Sequence, residues 1–157
     1  MKNLAFYLVV AAIAVGYNVM TSADRDGSGA IVDAGSVDAF NMHVGDCFDD
    51  PTSSFGDEIS SLPGVPCADP HDNEVYALID VTMEEYPGDD AMWEHANDEC
   101  LKRFESFVGL EYESSALDIY TMYPSPESWK QNDREVVCAL YDMNAEKLMG
   151  SMQDSGI

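Results

Sequence analysis

The stretch Cys67-Ala-Asp-Pro-His71-Asp72-Asn-Glu74 crowds a thiol, an imidazole and three carboxylates into a short, turn-prone segment. Three kinds of chemistry compete for it. A zinc ion would use Cys67, His71 and a carboxylate, but Cys-x3-His is looser than the paired Cys-x2-Cys spacing of structural zinc sites. An acid–base pair would set His71 against Asp72 or Glu74, since a carboxylate orients an imidazole and raises its basicity. The third reading is structural: Pro70 enters a turn, and the His71 ring closes it on a backbone carbonyl or on Glu74, leading into a strand that contains Val75. We prefer the third. No Gly-x-Ser-x-Gly elbow accompanies the histidine, and an oxidised cysteine supplies no thiolate. No catalytic or metal-ligating residue and no cofactor is therefore assigned; His71, Asp72 and Glu74 stand as turn-forming residues with a functional alternative. His43 and His95 lack partners at telling spacings. Trp129 and Arg134 carry a parallel pair of readings. Trp129 packs a short helix onto the sheet and Arg134 pairs with a neighbouring acid, or the two form a binding surface.

The elements that must position these residues follow from local pattern. Asn73 to Thr82 alternates, with Val75, Ala77, Ile79 and Val81 on one side and Tyr76, Leu78 and Asp80 on the other, which predicts a strand. After Tyr86-Pro-Gly, Asp89 or Asp90 is positioned to cap a helix. Its apolar stripe would be Trp93, Ala96, Cys100, Phe104 and Phe107, with Gly109 as the stop. Ala116 to Met122 and Glu135 to Tyr141 read as strands, and Met42 to Phe48 as a short one. Ser125-Pro-Glu-Ser-Trp129 has the cap residue and first-turn proline of a short helix. Residues 52–65 read as a loop, and 143–152 as a last strand or an irregular cover. The predicted class is α+β: a small, mainly antiparallel sheet with one main helix and a second short helix.

Four cysteines, Cys47, Cys67, Cys100 and Cys138, form an even set, which in an exported domain reads as two disulfides. Three connectivities are open. We favour Cys47–Cys67 and Cys100–Cys138, because each joins neighbours across one turn-rich connection and Cys100 lies on the core-facing stripe of its helix.

Thirty acidic against seven basic residues give the 157-residue chain a formal charge of -23. That charge repels phosphates and excludes a nucleic-acid partner. An apolar fraction of 46% is too high for a disordered acidic chain, so the charge clothes a core. The nearest approach to a calcium loop, Asp24-Arg-Asp-Gly-Ser-Gly29, has Gly35 where the bidentate glutamate should stand.

Residues 4–20 are uncharged and mostly apolar, and they follow a single lysine. At the lower limit for a bilayer of about 30 Å, this run reads as a retained single-pass anchor, with a signal cleaved near Ala23 as the alternative. Either way the remainder lies outside the cytoplasm. Residues 24–39, rich in Gly, Ser and Asp, read as a flexible acidic linker. The folded domain is placed at 40–157.

Val44-Gly-Asp-Cys-Phe48, Val65-Pro-Cys-Ala-Asp-Pro-His-Asp-Asn-Glu-Val75, Ala116-Leu-Asp118, Pro124-Ser-Pro-Glu-Ser-Trp129 and Asp133-Arg-Glu-Val-Val-Cys138 together resemble the septum formation domain of actinobacterial exported and membrane-anchored proteins. The resemblance covers 40 to about 150 and includes all four cysteines. It implies a cell-envelope location and an association with division septa, and carries no activity, substrate or cofactor. The resulting expectation is a membrane-tethered extracytoplasmic module that binds envelope or division proteins and is not an enzyme. The alternative is an envelope hydrolase or metal-dependent binder centred on His71.

Overall fold

The computed structural model describes residues 21–51 and 59–157. The proposed anchor at 4–20 lies outside them, and among the described residues no helix is long and apolar enough to cross a membrane.

A short antiparallel pair, β1 (Asp24–Arg25) and β2 (Ile31–Asp33), opens the described chain and runs directly into β3 (Gly35–Asp38). The remaining elements are β4 (Cys47–Phe48), β5 (Ser61–Val65), β6 (Asn73–Asp80), α1 (Asp89–Val108), a 3-10 turn at Tyr112–Ser114, β7 (Leu117–Met122), α2 (Pro126–Lys130) and β8 (Glu135–Asp142). Six strands form one sheet in the order β3-β5-β4-β6-β8-β7, and every pairing is antiparallel. The architecture is the α+β arrangement that the pattern implies.

The two faces of this sheet bury different cores. On one face α1 packs Met92, Ala96, Cys100, Phe104 and Val108 against Tyr76, Ile79, Leu117, Val136, Cys138 and Leu140. On the other, Val75, Val137 and Ala139 meet Phe48, Leu62, Val37, Ile31 and Met42. Strand β8 alternates cleanly between them, with Val136, Cys138 and Leu140 toward the helix and Val137 and Ala139 away from it. This is the period-2 pattern of a strand buried on both sides.

Several sequence expectations need correction. Residues 24–39 are not a linker: they form β1, β2 and β3, with Ile31 and Val37 buried in the second core. Isolated aliphatics among Gly, Ser and Asp look too sparse to order a segment. Here they need cover only a small patch, because β3 borrows its hydrogen bonds from β5. Side chains close over Gly64, where an added Cβ would collide with Val37 Cγ2 and crowd Ile31 Cδ1. Residues 61–65, expected as loop, are the partner strand in this contact; Pro63 sits opposite Ser36 within it.

The alternation along β6 is broken by a register shift between Val75 and Ala77. Val75 therefore faces the second core, while Tyr76 joins Ala77, Ile79 and Val81 on the helix face. A bulge adds one unpaired residue and so reverses the facing of what precedes it. Tyr76 uses the bulge to reach α1, where its hydroxyl donates to the Cys100 carbonyl at 2.9 Å.

Helix α1 is capped by Gly88 without a side-chain bond. Asp89 and Asp90 fall instead in the first turn, where their charge complements the helix dipole, and Asp89 accepts from the Tyr86 hydroxyl at 2.7 Å. The stripe itself is rotated by one residue at its start: Met92 is fully buried and Trp93 is 56% exposed. At the other end Gly109 takes the left-handed conformation (φ 82°) that terminates a helix.

Short strand β4 is limited to Cys47–Phe48, and 143–157 forms an irregular cover rather than a further strand in the sheet. Two disulfides, Cys47–Cys67 and Cys100–Cys138, hold the assembly. The first ties β4 to the turn after β5, and the second staples α1 to β8, the strand next to the β7 edge. In the chain-entropy picture each contributes on the order of 3 kcal/mol.

Candidate functional site

The Cys67–Glu74 turn folds back on itself and then grips the C-terminal segment. His71 is fully buried. Its Nδ1 lies 2.8 Å from the Asp69 carbonyl oxygen, which can only accept, so Nδ1 carries a proton and, in the neutral ring, Nε2 holds the lone pair. That Nε2 is buried and, among the described residues, has no hydrogen-bond partner. The His71 backbone pairs with Leu148 in both directions, N to O at 3.1 Å and O to N at 2.8 Å, and the Gly150 amide donates to the Cys67 carbonyl at 2.8 Å.

Glu74, also fully buried, completes the grip. Its carboxylate accepts from Ser151 Oγ and from the Met152 amide, each at 2.6 Å. From there the tail continues to the end of α1, where Asp154 and Gly156 donate to the carbonyls of Phe107 and Val108. These are orphan acceptors of a helix C-terminus, and the tail satisfies them. The three acids of the motif thus have separate duties. Asp69 supplies a carbonyl and Glu74 an anion for the tail. Asp72 accepts from the Asp50 amide at 2.9 Å and pairs with Lys147 at 2.8 Å. Burial alone would raise the Asp72 pKa, but the Lys147 and Asp50 hydrogen bonds and the nearby positive charge hold it below the usual carboxylate value. The Lys147 ammonium, shared with Asp49, is held above its ordinary pKa by those two carboxylates.

Around this turn three side chains bring their donor atoms to within 4.8 Å of one another: Cys47, His71 and Glu74, all buried. Cys47 is disulfide-bonded to Cys67. A sulfur in a disulfide is not a thiolate, so the oxidised cluster offers a metal one imidazole nitrogen and one carboxylate already engaged by the tail.

Trp129 and Arg134 lie elsewhere, beyond the far end of β6. Trp129 is buried where α2 meets the helix-side core, and Tyr86 packs edge-on against it. Ser125 and Ser128 close a reciprocal capping box at the start of α2. Among the described residues Arg134 takes no acid as its partner. Its guanidinium stacks over the Trp129 ring, 3.5 Å from the centroid, and donates to the carbonyls of Trp129 and Asp133. A planar cation satisfies an aromatic face and carbonyls together, a combination the abundance of acids in the sequence obscures. Beside this pair runs a broad groove lined by Tyr86, Trp93, Asn97, Thr121, Tyr123 and Arg134. Trp93 and Tyr123 are exposed along it, and β7 forms that edge of the sheet, paired only with β8.

Two functional-looking residues escaped the sequence reading. Asp46 is 2% exposed and receives a forked pair of bonds from Arg25, plus the His43 amide at 2.8 Å. Its position inside Val44-Gly-Asp-Cys-Phe48, next to residues that must be buried, was the available signal. Ser151 carried none, since it meets Glu74 across 77 positions.

The molecule is thus a disulfide-stapled α+β domain whose motif-rich turn locks its own tail and whose exposed aromatics cluster beside an open sheet edge. The chain belongs to the septum formation family: that family's model, described as Septum formation, matches residues 23–138. The match begins at Ala23, so it takes in the β1–β3 segment that composition assigns to a linker. No curated protein and no solved structure matches the chain.

Proposed function

We propose that this protein is a membrane-tethered, extracytoplasmic module that acts in septum formation by binding another envelope or division protein, without catalysis. Family membership over 23–138 is the observation that carries this reading. Tethering rests on the uncharged run at 4–20. The two disulfides are of the kind that persist in oxidising compartments. Binding rather than catalysis is favoured by how the polar side chains are used. Asp72 and Glu74 are spent on the turn and the tail and His71 Nδ1 on closing the turn, while the groove beside β7 offers exposed Trp93 and Tyr123. Such aromatics supply contact area at low entropic cost, and a partner segment that pairs along β7 would add main-chain bonds. With a formal charge of -23, the partner surface is expected to be basic.

A fluorescent fusion to the full chain tests this in dividing cells. Concentration at division sites, lost in a Trp93→Ala, Tyr123→Ala variant that keeps its melting temperature, is the expected result. Even distribution round the cell, together with normal septa in a deletion strain, would remove the division role.

A further inference from the structure

We propose that the Cys47–Cys67 disulfide masks a zinc site, which reduction opens, with Cys47, Cys67, His71 and Glu74 as its four ligands. Donor atoms of Cys47, His71 and Glu74 already converge to within 4.8 Å of one another; Cys67 stands outside that trio, bonded to its Cys47 member, and would swing in once the bond is reduced. Two thiolates, one imidazole and one carboxylate form a donor set that suits tetrahedral zinc.

The histidine is the independent sign. A buried nitrogen lone pair with no partner is costly, and the fold makes no use of Nε2. Its ring is also held as ligating imidazoles are held: Nδ1–H is anchored on the Asp69 carbonyl, which fixes the tautomer and aims Nε2 inward. Turn closure explains Nδ1 and leaves Nε2 unexplained. A metal would use it.

Reduction has a route that discriminates between the two disulfides. Cys67 is partly exposed, whereas Cys47, Cys100 and Cys138 are fully buried. A dithiol reductant attacks Cys67 Sγ through one thiolate, and the Cys47 sulfur leaves. Its second thiol then displaces Cys67 from the mixed disulfide. The reductant ends as a cyclic disulfide, and both cysteines as thiols. Zinc binding replaces the two thiol protons, which pass to solvent. Glu74 can ligate through a free lone pair while still accepting from Ser151 and Met152, so the loaded site remains joined to the tail.

The test uses the full chain, oxidised or treated with a mild dithiol, with alkylation mapping to verify that only Cys47 and Cys67 become free. After removal of reductant under anaerobic conditions, zinc and cobalt(II) uptake are measured. One zinc per chain in the reduced form and none in the oxidised form is expected, with intense sulfur-to-cobalt absorption. His71→Ala should weaken binding by more than about 100-fold, beyond the loss typical of an outer-shell change. X-ray absorption of the zinc-loaded wild type should give two sulfur and two nitrogen or oxygen neighbours, which decides the case even where the variant fails to fold. Equal uptake by both forms, unchanged affinity in His71→Ala, or a shell without two sulfurs would overturn the assignment.

Discussion

Arg25 forks onto the buried carboxylate of Asp46, with its two terminal nitrogens 2.5 and 2.7 Å from the two carboxylate oxygens. One partner comes from a Gly/Ser/Asp-rich segment and the other from the strand-entry motif that precedes Cys47. The pair is what makes the first described residues part of the domain, since it supplies charge compensation for an acid that is 2% exposed. Arg25→Ala leaves that carboxylate with only the His43 amide, and is expected to cost roughly 3 kcal/mol by urea denaturation. A chain begun at residue 40 should lose at least as much, since Ile31 and Val37 also leave the second core. A loss below about 0.5 kcal/mol, the range of ordinary surface changes, would return 24–39 to the status of a linker.

Glu74 holds the tail through two charge-assisted bonds. Glu74→Gln keeps the shape but replaces one acceptor by a donor facing Ser151 or the Met152 amide, at an expected cost of about 2 kcal/mol. The Met152 amide should then exchange with solvent faster than the amides of β8. Unchanged protection at Met152 would mean that the tail is held by the Leu148 bridge and the helix-end contacts alone.

His71→Ala removes the ring that closes the turn on the Asp69 carbonyl and leaves a void in a fully buried position. The expected loss is about 2 to 3 kcal/mol, in the range of buried-site changes. A variant as stable as the parent would show that the turn is set by Pro70 and the Cys47–Cys67 disulfide without the ring.

Asp80 and Glu135 stand directly opposite each other on β6 and β8, with Asp133 nearby. Burial, then the charges of Asp80 and Asp133, raise the Glu135 pKa above its ordinary 4.5. A raised acid binds a proton in the folded state before it does so in the unfolded chain. Stability therefore increases as pH falls through the folded value, and the gain is complete below the unfolded one. Asp72 and Asp118, whose pKa values are lowered, act in the opposite sense and withdraw stability at still lower pH, below 3.8. Glu135→Gln should thus raise the melting temperature at pH 7 and flatten its rise between neutrality and mild acid. An unchanged pH profile would show that the strain lies at another acid.

Arg134→Lys keeps the charge but loses the flat guanidinium that stacks on Trp129 while donating to two carbonyls. A cost of about 1 kcal/mol is expected, together with a shift in Trp129 fluorescence. Equal stability and an unchanged spectrum would make the pairing incidental.

With a formal charge of -23, self-repulsion is screened by salt. The melting temperature should rise between low and moderate sodium chloride; a steady fall would mean that the Arg25–Asp46 and Lys147 pairs outweigh the general repulsion.

Short-range pattern was sufficient for β6, β8, α1 with its Gly109 stop, and the Ser125-capped α2, because period and caps are written within a few positions of each other. Among the cysteines it left three connectivities open, and the tertiary structure selects the favoured one, bringing Cys100 on its core-facing stripe to Cys138 on a strand buried from both sides. Short-range pattern failed wherever a residue's environment comes from distant chain. Composition marked 24–39 as linker because Arg25 shows no sign of Asp46, 21 positions on, or Gly64 of the Val37 it must clear. Alternation misfaced Val75 because a bulge costs the ladder a residue without altering the local hydrophobic pattern. Glu74 reads as a partner for the His71 ring because the amide that claims it lies 78 positions away. An isolated carboxylate looks reactive until the fold brings a donor to it, and burial then makes that donor the stronger claim.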